Sequence, residues 1–385
     1  MMRILPALLT ALALAVALPA LAQETSPTEA DAALADILSR QEALAEGGTD
    51  PGAAEGANVG PGDDGVWGEI RRDTASITSV QRGPAATTLI QTGGMRWQEF
   101  REGPLVLWSA VALGATILLL ALFYAIRGRI EIDAPFTGRR ILRFSAVERF
   151  GHWVLGGSFV LLAVTGFLVL FGRAAIIPLL GHEAYAPIAV ASKWVHNNVS
   201  WAFMLGLVIA FIAWVRHNIP DRTDIAWIAK GGGFIGRGHP PARKFNAGQK
   251  AIFWSVIIGG ASLSASGLSL LFPFELPMFA KTFGIMNATG IPSLFGEPLP
   301  TTLAPQEEMA LAQSWHTIVA IVLSAIALAH IYIGSIGMEG AYDAMGSGEV
   351  EERWAREHHS LWVKELEERG EVGEPTFDPR GTPAE

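Results

Sequence analysis

Four of the nine histidines, His152, His196, His316 and His330, fall within or at the mouth of long apolar runs. An ionisable group at that depth is costly and marks a functional site by default. A neutral imidazole binds transition metals and haem iron. The chain has no cysteine, which excludes thiolate-held iron–sulfur clusters, disulfides and CxxCH haem attachment. No neighbouring carboxylate or cysteine completes a zinc or copper shell around these histidines. Haem iron held between imidazoles is therefore the chemistry to expect.

Their spacing sharpens that expectation. His316 and His330 are fourteen residues apart in one apolar run, which is about 21 Å along a helix, and fourteen steps of about 100° return both to nearly the same side. His196 begins the third run and shares the depth of His316. His152 begins the second run and shares the depth of His330. Two imidazole pairs at two levels match two bis-imidazole haems b stacked across a bilayer. A single such histidine could equally hydrogen-bond a neighbouring helix. Gly151, Gly156, Gly157 and Gly166 leave room for a flat macrocycle or for close helix packing, and both readings stay open. Arg149 and Lys193 each precede one of these histidines by three residues, where they would face haem propionates or anchor the helix at the interface.

The elements that must position these groups are apolar helices. Hydrophobic residues make up 50% of the 385 residues and charged ones only 17%, with mean hydropathy +0.33, below the charge of a typical soluble domain. Five runs, at about 104–126, 151–171, 193–215, 251–273 and 313–337, reach the roughly 20 residues a hydrocarbon core demands. Unpaired backbone is not tolerated in lipid, so each must be a helix. The fold class is an all-α integral-membrane helical bundle of four core helices plus one additional N-terminal transmembrane helix. The twelve Trp suit interfacial anchoring. The net charge of −9 gives no nucleic-acid signature.

Loop charges give the orientation. Arg127, Arg129, Arg139, Arg140, Arg143 and Arg149 lie between the first two runs. Arg216, Arg222, Lys230, Arg237, Arg243, Lys244 and Lys250 lie between the third and fourth. The remaining loops are almost free of basic residues, so the basic loops are expected in the cytoplasm. Residues 1–22 read as a secretory signal, with Arg3 before an apolar stretch and Ala20-Leu21-Ala22 as the cleavage site. An uncleaved anchor is the other reading. Residues 23–103 then form a periplasmic, largely disordered segment, 104–126 the additional span, 127–337 the dihaem domain, and 338–385 a cytoplasmic tail. The expected location is a bacterial inner membrane.

Seven strings carry a resemblance: RFGHW (149–153), KWVHNN (193–198), RHNIPDRTDI (216–225), KFNAGQKAIFWS (244–255), SWHTIVA (314–320), ALAHIYIG (327–334) and RWAREHHSLWVKELE (353–367). Over about 145–369 the chain resembles the gamma subunit of membrane-bound formate dehydrogenase, a dihaem cytochrome b. The resemblance implies four core helices and an inner haem on His152 and His330. It implies an outer haem on His196 and His316. It also implies a quinone site bordered by Asn246, Gly248 and Gln249 on the cytoplasmic side. Its implied partners are an iron–sulfur beta subunit and a molybdenum or tungsten catalytic alpha subunit, which oxidises the formate. This chain would only pass electrons on to quinone. Read from the residues alone, Asn246 and Gln249 could bind a quinone carbonyl or simply cap a helix. The signal, the acidic outer segment, the additional span and the long loop 274–312 depart from shorter members.

Two other functions remain. A cytochrome b anchor for a nickel–iron hydrogenase or thiosulfate reductase would keep the haems and change the donor. A haem-free transporter or scaffold would lack a b-type spectrum. His217 follows the third run, as a solvated residue or an aid to proton uptake. His182 is read as structural, and His358 and His359 in the charged, helical tail are given no chemistry.

Overall fold

The computed structural model describes residues 92–133, 135–233, 239–273 and 275–372. The expected signal and most of the outer segment lie outside them.

Helix α1, Thr92–Phe100, runs through a π-turn at Arg101–Leu105 into α2, Val106–Arg127. The span so formed starts upstream of the expected 104, at Gly94. Hydropathy misses this turn because Arg96, Glu99, Arg101 and Glu102 interrupt it. Helix α3 is Ala146–Leu170, opened by Ser145 and Glu148 as a reciprocal capping box. Such a box satisfies two of the amides that a helix start leaves over. Helix α4 is Ile177–Trp214, broken at Gly181, where φ is +80°; a side chain there would be strained in the left-handed region. His182 and Glu183 depress the local hydropathy, so the run expected from 193 understates this helix. The short α5, Arg222–Ala229, precedes α6, Ala247–Leu271. The loop expected at 274–312 contains a helix, α7, Phe279–Ala288, and the start of α8, Pro305–Tyr332. Among the described residues, five helical stretches, continuing through their flanking turns, are long and apolar enough to cross a membrane.

Packing is uneven in an informative way. Helix α3 lies along α4, α6 lies along both α4 and α8, and α2 lies along α8. Helix α8 makes no comparable packing with α3 or α4, the helices that carry His152 and His196. The additional span meets α8 through Phe123 and Tyr124, both edge-on to Tyr332. Its exit is tied to the exit of α8 by backbone hydrogen bonds from Ile130 N to Gly337 O and from Glu339 N to Ile130 O, each 2.9 Å.

The expected tail, as far as it is described, is a folded cap on the basic end. Strand β1, Arg140–Leu142, pairs antiparallel with β2, Glu349–Glu351, which the short α9, Asp343–Gly346, immediately precedes. Helices α10, Glu352–His358, and α11, Ser360–Glu368, follow. Val350, Trp354, Trp362, Val363 and Leu366 join Phe144, Trp214 and Phe245 in one buried cluster. The charges of this segment pair locally, Arg356 with Glu352 at 2.8 Å and Arg353 with Glu357 at 3.0 Å, which frees one face for burial.

The NIPDRTDI string builds the floor under this cap. Asp221 caps α5, and Asp221 and Asp224 hold the buried Lys250 ammonium at 3.1 and 2.9 Å. Asn218 is fully buried and receives the Trp254 indole N–H on its carbonyl at 2.8 Å. Partial burial raises the Asp221 carboxyl, but the Thr223 hydroxyl and amide and the Lys250 ammonium outweigh it and bring it to about 2.

Candidate functional site

Helix α8 carries His316 and His330 on a continuous helical segment, and each meets one partner across the gap it keeps from α3 and α4. The ring centres of His196 and His316 are 6.2 Å apart. Those of His152 and His330 are 6.1 Å apart. A metal bound by two imidazole nitrogens at about 2.0 Å, each about 1.1 Å from its ring centre, sets those centres about 6.2 Å apart. Both gaps therefore have the width of one bis-imidazole iron. The depth pairing expected from helical arithmetic is the pairing that forms.

The His196–His316 gap lies in a cleft of about 140 Å³ lined by Gly166, Gly267 and Ser324 among others. A Cβ added at Gly166 would stand 3.5 Å from His196 Cε1, and one at Gly267 3.5 Å from His316 Cε1. The glycines thus keep the faces of these helices flat beside the rings. Each imidazole also has a hydroxyl partner: Thr165 Oγ1 is 3.0 Å from His196 Nδ1, and Ser266 Oγ is 2.9 Å from His316 Nδ1. These hydroxyls already donate within their own helices, Thr165 to Leu161 O at 2.8 Å and Ser266 to Ser262 O at 2.9 Å. A hydroxyl has one proton to give. With that proton held by the helix carbonyl, the oxygen is free to accept from Nδ1–H, the tautomer that would leave Nε2 with its lone pair. This arrangement favours the tautomer that a metal requires.

Thr165 and Ser266 escaped the sequence reading, although a signal exists. They open similar strings, TGFLVLF (165–171) on α3 and SGLSLLF (266–272) on α6. In each, the hydroxyl and the following glycine face the histidine of the next spanning helix.

The His152–His330 gap has different surroundings. It opens into a cavity of about 1400 Å³ that continues beneath the cap. His152 Nδ1 is buried without a hydrogen-bond partner. His330 is exposed to the cavity and has no hydrogen-bond partner among the described residues. Gly156 and Gly157 line the same cavity with nothing within 4 Å of an added Cβ, whereas Gly151 packs against Ile209 on α4. Both readings of the glycines thus occur, at different residues.

Asn246, Gly248 and Gln249 also line this cavity. Asn246 Oδ1 accepts from Gln249 N at 2.9 Å, and Gln249 Oε1 accepts from Asn246 N at 3.0 Å. Capping is therefore a real role of both residues. Because a backbone N–H can only donate, the contacting atoms must be oxygens. The two side-chain NH2 groups are left as donors at the cavity wall.

The cations expected near the histidines fall out differently. Arg149 Nη1 donates to Gly346 O at 2.5 Å, tying α3 to the cap, and Lys193 is exposed. Arg127, Arg129 and Arg143 line the large cavity instead. Arg143 is 3% exposed, stacked near Phe144, Trp354 and Trp362, with Nη1 unpartnered. Burial lowers its guanidinium to about 9, opposed by Glu148, so it stays cationic at neutral pH. His217 ends the short turn that follows α4 and accepts from Arg216 at 3.1 Å, and His182 is exposed beside the Gly181 break. His359 is fully buried and donates from Nδ1 to Arg243 O at 2.7 Å. Burial holds His358 down at about 4, helped by His239 and Arg143.

Residues 143–348 match the family described as prokaryotic cytochrome b561. Curated relatives include the formate dehydrogenase cytochrome b556(fdo) subunit of Escherichia coli K12, 27% identical over 235 residues, which are 59% of this chain and 93% of that protein. The nitrate-inducible cytochrome b556(Fdn) subunit of the same strain is 26% identical over 232 residues, 60% of this chain and 93% of its own length. The formate dehydrogenase cytochrome b556 subunit of Haemophilus influenzae is 26% identical over 242 residues, 62% of this chain and 87% of that protein.

Proposed function

The chain belongs to the prokaryotic cytochrome b561 family, and from that premise we propose that it is the cytochrome b subunit of a formate dehydrogenase, passing electrons through two haems b to quinone. Membership and the five apolar helices make it a multi-pass membrane protein of the cytochrome b class. The relatives named above support the formate dehydrogenase assignment.

One observation carries the proposal: two imidazole pairs of equal separation, 6.1 and 6.2 Å, share a single rigid helix. His152 and His330 would hold the inner haem, and His196 and His316 the outer one. A haem b so held supplies a one-electron carrier. The chain's own part is to fix its level and its ligands. Helix α8 holds the two levels about 21 Å apart along its axis. Thr165 and Ser266 keep Nε2 of the outer imidazoles free of a proton. Arg127, Arg129 and Arg143 bring positive charge to the inner cavity, where propionates or a reduced quinone would carry the opposite sign.

The quinone would bind at that cavity. The NH2 groups of Asn246 and Gln249 would donate to its carbonyl oxygen while their oxygens keep the helix cap. With the basic loops in the cytoplasm, the quinone takes its protons from that side, and an iron–sulfur subunit with a molybdenum or tungsten catalytic subunit docks at the opposite face. The additional span and the loop before α8 distinguish this chain's outer contacts from those of shorter members.

Pyridine haemochrome analysis of the purified protein tests the first half. Two haems b per chain are expected, and one or none overturns the paired assignment. Formate-dependent reduction of both haems in the co-purified complex tests the second half. Reduction by hydrogen instead would move the chain to a hydrogenase.

A further inference from the structure

Beneath the cap, at the wall of the large cavity and apart from the four paired histidines, lies a second cluster of metal-ligating groups. His239 precedes α6 on the loop from α5, Glu357 and His358 end α10, and Asp133 follows α2. The candidate ligand atoms of His239, Glu357 and His358 all lie within 4.8 Å of one another. His239 Nε2 is 3.0 Å from Asp133 Oδ2 and 3.6 Å from Glu357 Oε2. Nitrogen and oxygen ligands on a tetrahedral zinc, with bonds of about 2.0–2.1 Å, sit about 3.3 Å from each other. The His239–Glu357 separation of 3.6 Å is close to that value.

Hydrogen bonding within the protein does not account for the cluster. His358 Nε2 is buried and has no partner among the described residues, although a polar atom in that condition carries a desolvation penalty. His239 Nε2 has at most one proton, yet it faces two carboxylates. Glu357 is itself fixed by other groups: Arg353 Nε donates to Oε1 at 3.0 Å, and the Asp133 amide donates to Oε2 at 3.1 Å. Such bonds orient a ligating carboxylate. The rings of His239 and His358 stand 5.3 Å apart at 78°, so their nitrogens can converge without stacking.

We propose that His239, Glu357 and His358 form a binding site for a divalent transition metal of the zinc class, with Asp133 held beside His239 and the fourth position left to water. Two imidazoles and a carboxylate without a thiolate suit zinc above softer ions, and the imidazoles discriminate against magnesium and calcium. The ion would join the exit of α2, the loop before α6 and the cap, and so close one wall of the cavity. The site stands independently of the haem assignment.

The test uses haem-loaded protein stripped with a chelator, whose iron-bound imidazoles cannot compete. Titration with zinc chloride, followed calorimetrically, is expected to reveal one site per chain with Kd about 1 µM or tighter, unaffected by excess magnesium. His358→Ala should weaken it by about 100-fold with the haem spectrum unchanged. If that variant fails to fold, Asp133→Asn and His239→Gln change only the loops and should weaken binding in the same direction. No one-site binding, or equal binding by wild type and all foldable variants, overturns the proposal. Loss of haem in the wild type with zinc binding retained would count against the cytochrome reading alone.

Discussion

The two imidazole pairs on α8 have the same width and opposite settings. At the His196–His316 level, glycine faces and helix hydroxyls hold both rings, inside a cleft of about 140 Å³. At the His152–His330 level, neither ring has a hydroxyl partner among the described residues, and the gap opens into about 1400 Å³ shared with polar cap residues. Equal width suits the same ligand at both levels. Under the proposed function the unequal setting would divide the labour, with the outer level a fixed relay and the inner one having room for an exchangeable ligand beside it. Each prediction below perturbs one level and reads both.

Removal of a ring has the largest expected effect. His316→Ala should remove about half of the b-type absorbance, and His152→Ala should remove the other half, each leaving one centre spectrally intact. Loss of both centres in either variant would show that the levels do not load separately. Loss of neither would show that these rings are not the ligands. Next comes steric closure of one level. Gly166→Leu and Gly267→Leu place a branched side chain where even a Cβ stands 3.5 Å from an imidazole carbon. Both should empty the outer level, measured as one haem per chain, and leave the inner spectrum unchanged.

The pairing itself was legible in the sequence because imidazoles are rare in apolar runs and helical rise converts spacing into depth. His316 and His330 could be placed by counting alone. The hydroxyls were not legible by the same route: Thr165 and Ser266 are ordinary residues of spanning helices, and only the likeness of TGFLVLF to SGLSLLF points to them. The folded cap was hidden for a different reason. Residues 352–369 read as a charged helical tail, and the helices form, but dense charge hid their packing, because Glu352, Arg353, Arg356 and Glu357 pair with one another. Trp354, Trp362 and Leu366 were the available signal that one face is buried. Asn246 and Gln249 taught a further point. Capping and ligand binding had stood as alternatives, but an amide has an oxygen for one and an NH2 for the other.

That division of the amide gives a prediction of middle size at the inner level. Asn246→Asp keeps the cap, because aspartate is as good an N-cap as asparagine, and removes the NH2 donor. Quinone reduction should fall by about tenfold, the worth of one hydrogen bond in a charge-sensitive site, with the melting temperature and both haem spectra unchanged. Asn246→Ala loses the cap as well, at about 1 kcal/mol, and should lower the melting temperature in addition. Unchanged turnover in the aspartate variant would leave Asn246 with the cap alone.

The smallest effect belongs to the outer level and is the most selective. A hydrogen bond from Nδ1–H makes an imidazole a more basic ligand, which favours the oxidised iron and lowers the potential. Thr165→Val and Ser266→Ala remove the acceptors while keeping the apolar volume nearly constant. Each bond is worth about 1 kcal/mol, and at 59 mV per tenfold change in a one-electron centre that is about 40 mV. Redox titration should therefore find the outer centre raised by about 40 mV in either variant, with the inner centre unmoved and haem content at two per chain. Thr165→Ser, which retains the hydroxyl, should restore the wild-type potential. A shift of both centres would mean that the hydroxyls act on the bundle as a whole. No shift at all would mean that Nδ1–H finds a backbone carbonyl as good, and the contrast between the levels would then rest on the cavity alone.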